Sequence, residues 1–141
     1  MKDHPKVNYG KTGVLIINLG TPDSTSWFDI RKYLKEFLSD NRVIEVNPIV
    51  WQIILNLFIL TFRPSKTAKA YKEIWMKSEN MSPLRYYTQM QAKKITNEIS
   101  SNDVIVDYAM RYGNPSIKNK MNDLQKQGCE NIIILPLYPQ Y

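Results

Sequence analysis

Cysteine and histidine are nearly missing from this chain: Cys129 and His4 are the only ones among 141 residues. One thiol excludes an intrachain disulfide and suits a reducing compartment. The one histidine sits beside Pro5 in a polar N-terminal stretch, so no serine–histidine or cysteine–histidine pair can be assembled. The chain also lacks a good general base near neutral pH. No Cys-x-x-Cys and no His-x-x-x-His occurs, so no complete metal site can be read. There is no Gly-x-Gly-x-x-Gly after the first aliphatic run and no phosphate-loop Lys-Ser/Thr pattern, which argues against a dinucleotide or nucleoside triphosphate. Met1 to Thr12 has no apolar core of a signal peptide and reads as a loose tail, residues 1–12. No internal repeat, low-complexity segment or linker is present. Acidic residues are the scarcer charge, 13 against 19 Lys and Arg, for a net charge of +6. That balance permits an anionic partner, but the lysines are scattered and no aromatic–basic nucleic-acid motif appears, so no nucleic-acid partner is expected.

What is present is organised around Val14-Leu15-Ile16-Ile17-Asn18-Leu19-Gly20-Thr21-Pro22. A short aliphatic run closed by a Gly- and Pro-containing turn fits a strand buried on both faces. The strand is expected to stop near Leu19, where Pro22 can no longer donate to a ladder. Trp27, Ile30, Leu34, Phe37 and Leu38 recur at helical spacing after the candidate caps Ser24, Thr25 and Ser26. Asp40-Asn41 ends that helix, and Val43 to Asn47 reads as extended. Ile49 to Phe62 is apolar almost all round. It falls short of the roughly 20 residues that span a bilayer. It fits a buried core helix, a hydrophobic lip over an apolar ligand, or a monotopic membrane contact, with Arg63, Lys66 and Lys69 following.

Pro64-Ser65 reads as the start of the next helix, which ends between Lys77 and Asn80. Ser82-Pro83 starts another, an N-cap serine with proline at the first helical position. Val104 to Met110 is a second strand, leaving through Arg111-Tyr112-Gly113. Asn114-Pro115 caps a helix that stops at Gly128, and Asn131 to Leu135 is a third aliphatic strand. The alternation predicts an α/β fold with a parallel sheet and helices on its faces. The three strand exits then share one edge, where ligands of such sheets usually sit. Tyrosines, aliphatics and the strand-end Arg111 on that edge suit a flat apolar ligand bearing carboxylates. Tyrosines that merely cap the core would give the same pattern.

Five segments in this order resemble the ferrochelatase family, whose members insert Fe²⁺ into protoporphyrin IX. They are Gly13 to Pro22; Arg63 to Tyr71 with Ile74-Trp75; Ser82-Pro83-Leu84; Met110 to Pro115; and Leu135 to Tyr141. The resemblance implies a three-layer Rossmann-like chelatase domain over residues 13–141, the first of two similar halves with the porphyrin between them. It implies that Leu19 faces the macrocycle, that Arg63, Tyr71 and Ser82 line the porphyrin pocket, and that Arg111 and Tyr112 lie on the inner side. Trp51, Ile54, Leu57, Phe58 and Phe62 become a lip that can meet a membrane, with a cytoplasmic location peripheral to the inner membrane. Protoporphyrin IX and ferrous iron are the implied substrates and partners, and no cofactor is required by this half. The family's proton-accepting histidine lies in the second half, so no catalytic residue is expected in this chain and little activity from it alone. The cysteines of cluster-binding members also lie further on, so no iron–sulfur cluster is expected at Cys129. Before Ser82 many relatives carry glycines where this chain has Ser78-Glu79-Asn80-Met81.

Overall fold

The computed structural model describes residues 10–139. The chain runs β1 (Lys11–Thr21), α1 (Trp27–Leu38), α2 (Pro48–Ile54), a π-helical turn (Leu55–Ile59), α3 (Leu60–Ile74), α4 (Pro83–Ile99), β2 (Val104–Gly113), α5 (Ile117–Lys126) and β3 (Cys129–Pro136). His4, Gln140 and Tyr141 lie outside the described residues, as does most of the expected tail.

The three strands are parallel, in the order β2-β1-β3. β1 is the centre, and Leu15, Ile16 and Ile17 are buried in succession, so both of its faces are covered. Leu15 and Ile17 face α5 and pack with Ala109, Leu124 and Cys129. Asn18, one step along, points to the opposite face and donates through Nδ2 to Thr88 Oγ1 of α4 at 3.0 Å. Helices thus cover two faces of one parallel sheet, the expected three-layer α/β arrangement. β1 starts earlier than the aliphatic run: Lys11 already pairs with Cys129 and Thr12 with Val104. It also continues past Leu19, because Gly20 and Thr21 keep their pairing with Tyr112 and Gly113.

β3 forms where the aliphatic run indicates but is far less covered than β1. Ile133 and Ile134 point to opposite faces, yet they are 56% and 44% exposed. Among the described residues β3 pairs only with β1. An aliphatic run signals burial only when something lies over it, and here the outer side of β3 is bare.

α1 begins as the sequence indicates, with Ser26 Oγ accepting from the Asp29 amide at 3.2 Å. Its Ile30, Leu34 and Leu38 form a second core with Leu55, Leu60 and Ala68. Val43 to Asn47 is not extended: the Val43 and Ile44 amides fold back onto the Asp40 carbonyl, and Asn47 caps α2. α5 is capped by Ser116 rather than by Asn114-Pro115.

The largest correction concerns Pro64. It opens no helix but lies inside one, and α2, the π-turn and α3 form a continuous helix of 27 residues, Pro48–Ile74. Proline removes the N–H that the Leu60 carbonyl would accept. Arg31 Nε on α1 fills that place, donating to the Leu60 carbonyl at 3.2 Å. The π-turn closes through the Leu60 amide to the Leu55 carbonyl, an i to i+5 bond. That wider turn brings Leu55 and Leu60 to the same side, and both are fully buried. By length and composition the 27-residue helix is apolar enough to cross a membrane, with mean hydropathy 1.2 over its most apolar window, 17% of which is buried. Its inner seam nevertheless packs on α1.

Gly20 and Gly128 both hold positive φ, +124° and +88°. A Cβ at Gly20 would stand 2.0 Å from the Tyr112 carbonyl oxygen, whereas at Gly128 it would meet nothing within 4 Å. Gly20→Ala is therefore expected to destabilise the fold by about 3 kcal/mol or more, through strain plus a backbone clash. Gly128→Ala should cost only about 1 kcal/mol, the conformational part. Urea titration of the two variants beside the parent checks the order; equal losses would contradict the close approach at Gly20.

Candidate functional site

The exits of β1, β2 and β3 do meet at one edge. Leu19, Arg111, Tyr112, Tyr138 and Pro139 line a concavity of about 490 Å³, continued by a second of about 660 Å³ that adds Phe37 and Glu45. Leu19 is 37% exposed and its amide is tied by Asn18 Oδ1 at 2.8 Å, so the side chain is presented on a fixed backbone.

Asp40 organises this edge. Its Oδ2 accepts from Arg111 Nη2 at 2.7 Å and from the Tyr112 hydroxyl at 3.0 Å, while Oδ1 accepts from the Arg42 amide at 3.0 Å. The Arg42 amide foremost, then the Tyr112 hydroxyl and the Arg111 charge, outweigh partial desolvation and hold the Asp40 carboxyl below its usual range. The Tyr112 phenol moves the other way: burial, then its bond to the Asp40 carboxylate, raise its pKa. Tyr112 is thus held protonated as a donor. Asp40 reads in sequence only as a helix end, and the signal missed there is an acidic side chain free to fold back over a strand exit. Glu36 does similar work, accepting from the Gly113 amide at 3.0 Å.

Arg63 and Tyr71 lie elsewhere, on α3. With Phe58, Phe62, Lys66 and Ile74 they line an open groove of about 960 Å³. Leu57, Phe58 and Phe62 are each more than half exposed, and Ile54 is 38% exposed, so four of the five expected lip residues form an outward apolar stripe. Trp51 does not join them: its indole N–H donates to the Leu38 carbonyl at 2.7 Å and its ring packs against the α1 core. Ser82 does not line the groove either. It is 2% exposed, and its hydroxyl caps α4 by accepting from the Arg85 amide. The loop before it turns through Asn80 at φ +51°, and asparagine tolerates that region better than most residues. Asn80 thus takes the positive φ that glycine adopts freely.

The two regions are joined by an aromatic series that sequence reading did not find. Trp75 meets Tyr71 at 6.4 Å between ring centroids, Tyr71 meets Tyr33 at 6.5 Å, Tyr33 stacks on Phe37 at 6.1 Å, and Phe37 meets Tyr112 edge-on at 5.0 Å. The Arg111 guanidinium continues the series over the Tyr112 ring at 5.1 Å. Tyr33 and Phe37 stand one turn apart on α1, a spacing that also fits ordinary core packing. The Tyr33 hydroxyl donates to the Gly20 carbonyl at 3.3 Å, and burial, then the neighbouring Tyr71, push its pKa well above the ordinary phenol value. Tyr33 and Tyr112, both raised, are therefore not bases near neutral pH.

On the far side of Gly20, Asp23 accepts from Arg85 Nη2 and from Asn114 Nδ2, each at 2.7 Å, which ties the first loop to α4 and to the β2 exit. Burial alone would raise the Asp23 pKa, but these bonds and the Arg85 charge bring it below the usual value. Among the described residues no group of three or more His, Cys, Asp or Glu is placed to hold a metal ion.

Asp40 and Asp23 both have folded pKa values below the ordinary carboxylate range. Each contributes stability above the unfolded carboxyl value and loses it as pH falls through the lower folded value. Asp40→Asn is expected to cost about 1 kcal/mol near pH 7, after allowance for solvent screening. The loss should shrink toward zero at the acid end of a pH series of urea titrations. A loss that stays constant with pH would contradict the assignment.

A family model described as ferrochelatase matches residues 11–141. A ferrochelatase of Allorhizobium ampelinum is 55% identical over 140 residues, covering 99% of this chain and 41% of that protein. One of Francisella tularensis subsp. holarctica is 56% identical over 133 residues, covering 94% of this chain and 40% of that protein. The chain spans about 40% of the length of the curated relatives it matches. With a family model matching almost all of its length, on a parallel sheet whose exits carry Leu19, Arg111 and Tyr112, the chain belongs to the ferrochelatase family.

Proposed function

We propose that this chain is the porphyrin-pocket half of a lyase that inserts Fe²⁺ into protoporphyrin IX to make protohaem, the last step of haem biosynthesis. The observation that carries the reading is the α3 groove, which sets Arg63 and Lys66 beside Phe58, Phe62, Tyr71 and Ile74. A flat apolar macrocycle with two carboxylates calls for that pairing of aromatic wall and fixed cation. Arg63 serves a propionate. Leu19 is an apolar wall on the sheet edge, and Arg111 and Tyr112 face inward, fixed by Asp40.

Metal insertion requires the pyrrole nitrogens to turn toward the incoming ion and to lose two protons. The turn is strain drawn from binding energy, and stiff walls deliver it. Proton removal needs a base, and Tyr33 and Tyr112 are held protonated. In this reading the base comes from sequence outside this chain, so these residues supply wall, clamp and lip, and the chain alone inserts iron at no useful rate. The exposed stripe of Ile54, Leu57, Phe58 and Phe62 supports peripheral contact with a cytoplasmic membrane surface. It also favours the second reading, a non-catalytic module that binds porphyrin or a membrane surface.

Titration with protoporphyrin IX and with its dimethyl ester tests the clamp. Arg63→Ala is expected to weaken the diacid about tenfold, the worth of one charge-assisted bond, and to leave the ester unchanged. Equal effects on both ligands would remove Arg63 from the propionate site. Adding the remaining part of a relative and assaying zinc insertion separates the two readings: activity in the mixture supports the lyase, and porphyrin binding without turnover supports the module.

A further inference from the structure

Pro64 leaves the Leu60 carbonyl without the donor that a continuous helix would provide. The helix nevertheless runs unbroken from Leu60 to Ile74, and Pro64 is buried within it. The donor comes from another element: Arg31 Nε lies 3.2 Å from the Leu60 oxygen. Arg31 is itself held, with its guanidinium carbon 5.6 Å from the ring centroid of Trp27, one turn earlier on α1. The bond uses the side-on, in-plane N–H of a rigid guanidinium, a donor that the flexible point charge of lysine does not reproduce.

The turn between Leu60 and Pro64 contains Phe62 and Arg63, and both line the α3 groove. The pose of that turn therefore decides where the groove's first aromatic and its cation stand. We propose that Arg31 is the positioning residue of this groove: it replaces the hydrogen bond that Pro64 removes and so fixes the turn carrying Phe62 and Arg63. The consequence for a porphyrin rests on the reading above, whereas the hydrogen bond rests on the geometry alone.

A general packing role would make loss of Arg31 equally harmful whatever stands at position 64. The proposed role makes Arg31 dispensable once residue 64 carries an N–H. The test uses Arg31→Met, Pro64→Ala and the double variant of the 141-residue chain, with amide hydrogen exchange across residues 61–67 and protoporphyrin IX titration. Arg31→Met alone is expected to speed exchange in that turn about tenfold, the loss of one backbone-directed bond, and to weaken protoporphyrin IX by a similar factor, with β1 amides unchanged. In the double variant both quantities should return to within about twofold of Pro64→Ala alone, a coupling that independent sites do not show. The same effect of Arg31→Met in both backgrounds, or no effect on exchange, overturns the proposal. Should the parent chain fail to bind protoporphyrin IX, the porphyrin reading falls, and the exchange cycle still decides the role of Arg31.

Discussion

At Gly20 the backbones of β1 and β2 approach so closely that a single Cβ would lie inside the Tyr112 carbonyl. The rest of the edge depends on that approach. It lets β1 stay paired as far as Thr21 and brings Gly113 beside it, so the first loop and the β2 exit leave the sheet together. Asp23 can then bind Asn114, and the Gly20 carbonyl can take the Tyr33 hydroxyl. Tyr112 emerges pointing at α1, where Asp40 and Phe37 meet it. Move the strands apart by the width of a methyl group and each of these contacts changes length. The requirement is steric, so no side-chain substitution elsewhere relieves it.

The second constraint is the long helix. A single ordinary α-helix over Pro48–Ile74 would not place both Leu55 and Leu60 on the core and would leave the Leu60 carbonyl bare at Pro64. The π-turn solves the first problem and Arg31 the second. Both devices lie at the junction between the apolar stripe and the groove. The same stretch therefore carries an outward face of Leu57, Phe58 and Phe62 and an inward face anchored on α1. Of the readings open for Ile49 to Phe62, core burial holds for one side of the helix only, and the other side is an exposed apolar stripe.

Much of this was legible from residue order. The aliphatic runs marked three strands, their spacing made them parallel, and Ser26 and Ser82 announced their helices. The edge holding Leu19, Arg111 and Tyr112 followed from that topology. What was not legible depends on partners distant in sequence. Pro64 reads as a helix start because local rules hold no information about Arg31, 33 residues earlier. The exposure of Ile133 and Ile134 was not legible because an aliphatic side chain does not report whether anything lies above it. Asp40 was passed over for a similar reason: its partners, Arg111 and Tyr112, arrive some 70 residues later.

The aromatic series from Trp75 to Tyr112 links the two concavities into which the expected site residues fall. Tyr71, Tyr33 and Phe37 are each gripped on two sides, and Tyr71 lines the α3 groove while Tyr112 lines the sheet edge. Rings in edge and stacked contact resist displacement, because moving one costs contacts with both neighbours. A force applied at Tyr71 is therefore borne by Tyr33 and Phe37 on α1, which is fixed in turn through Tyr33 to the Gly20 carbonyl and through Arg31 to the Leu60 carbonyl. On the proposed reading, a protein that bends a rigid macrocycle needs walls that yield less than the ligand does. In this chain such stiffness would come from α1, which lines the sheet-edge concavity through Phe37, packs against the groove helix, and is anchored to a strand exit and to that helix by hydrogen bonds to backbone carbonyls.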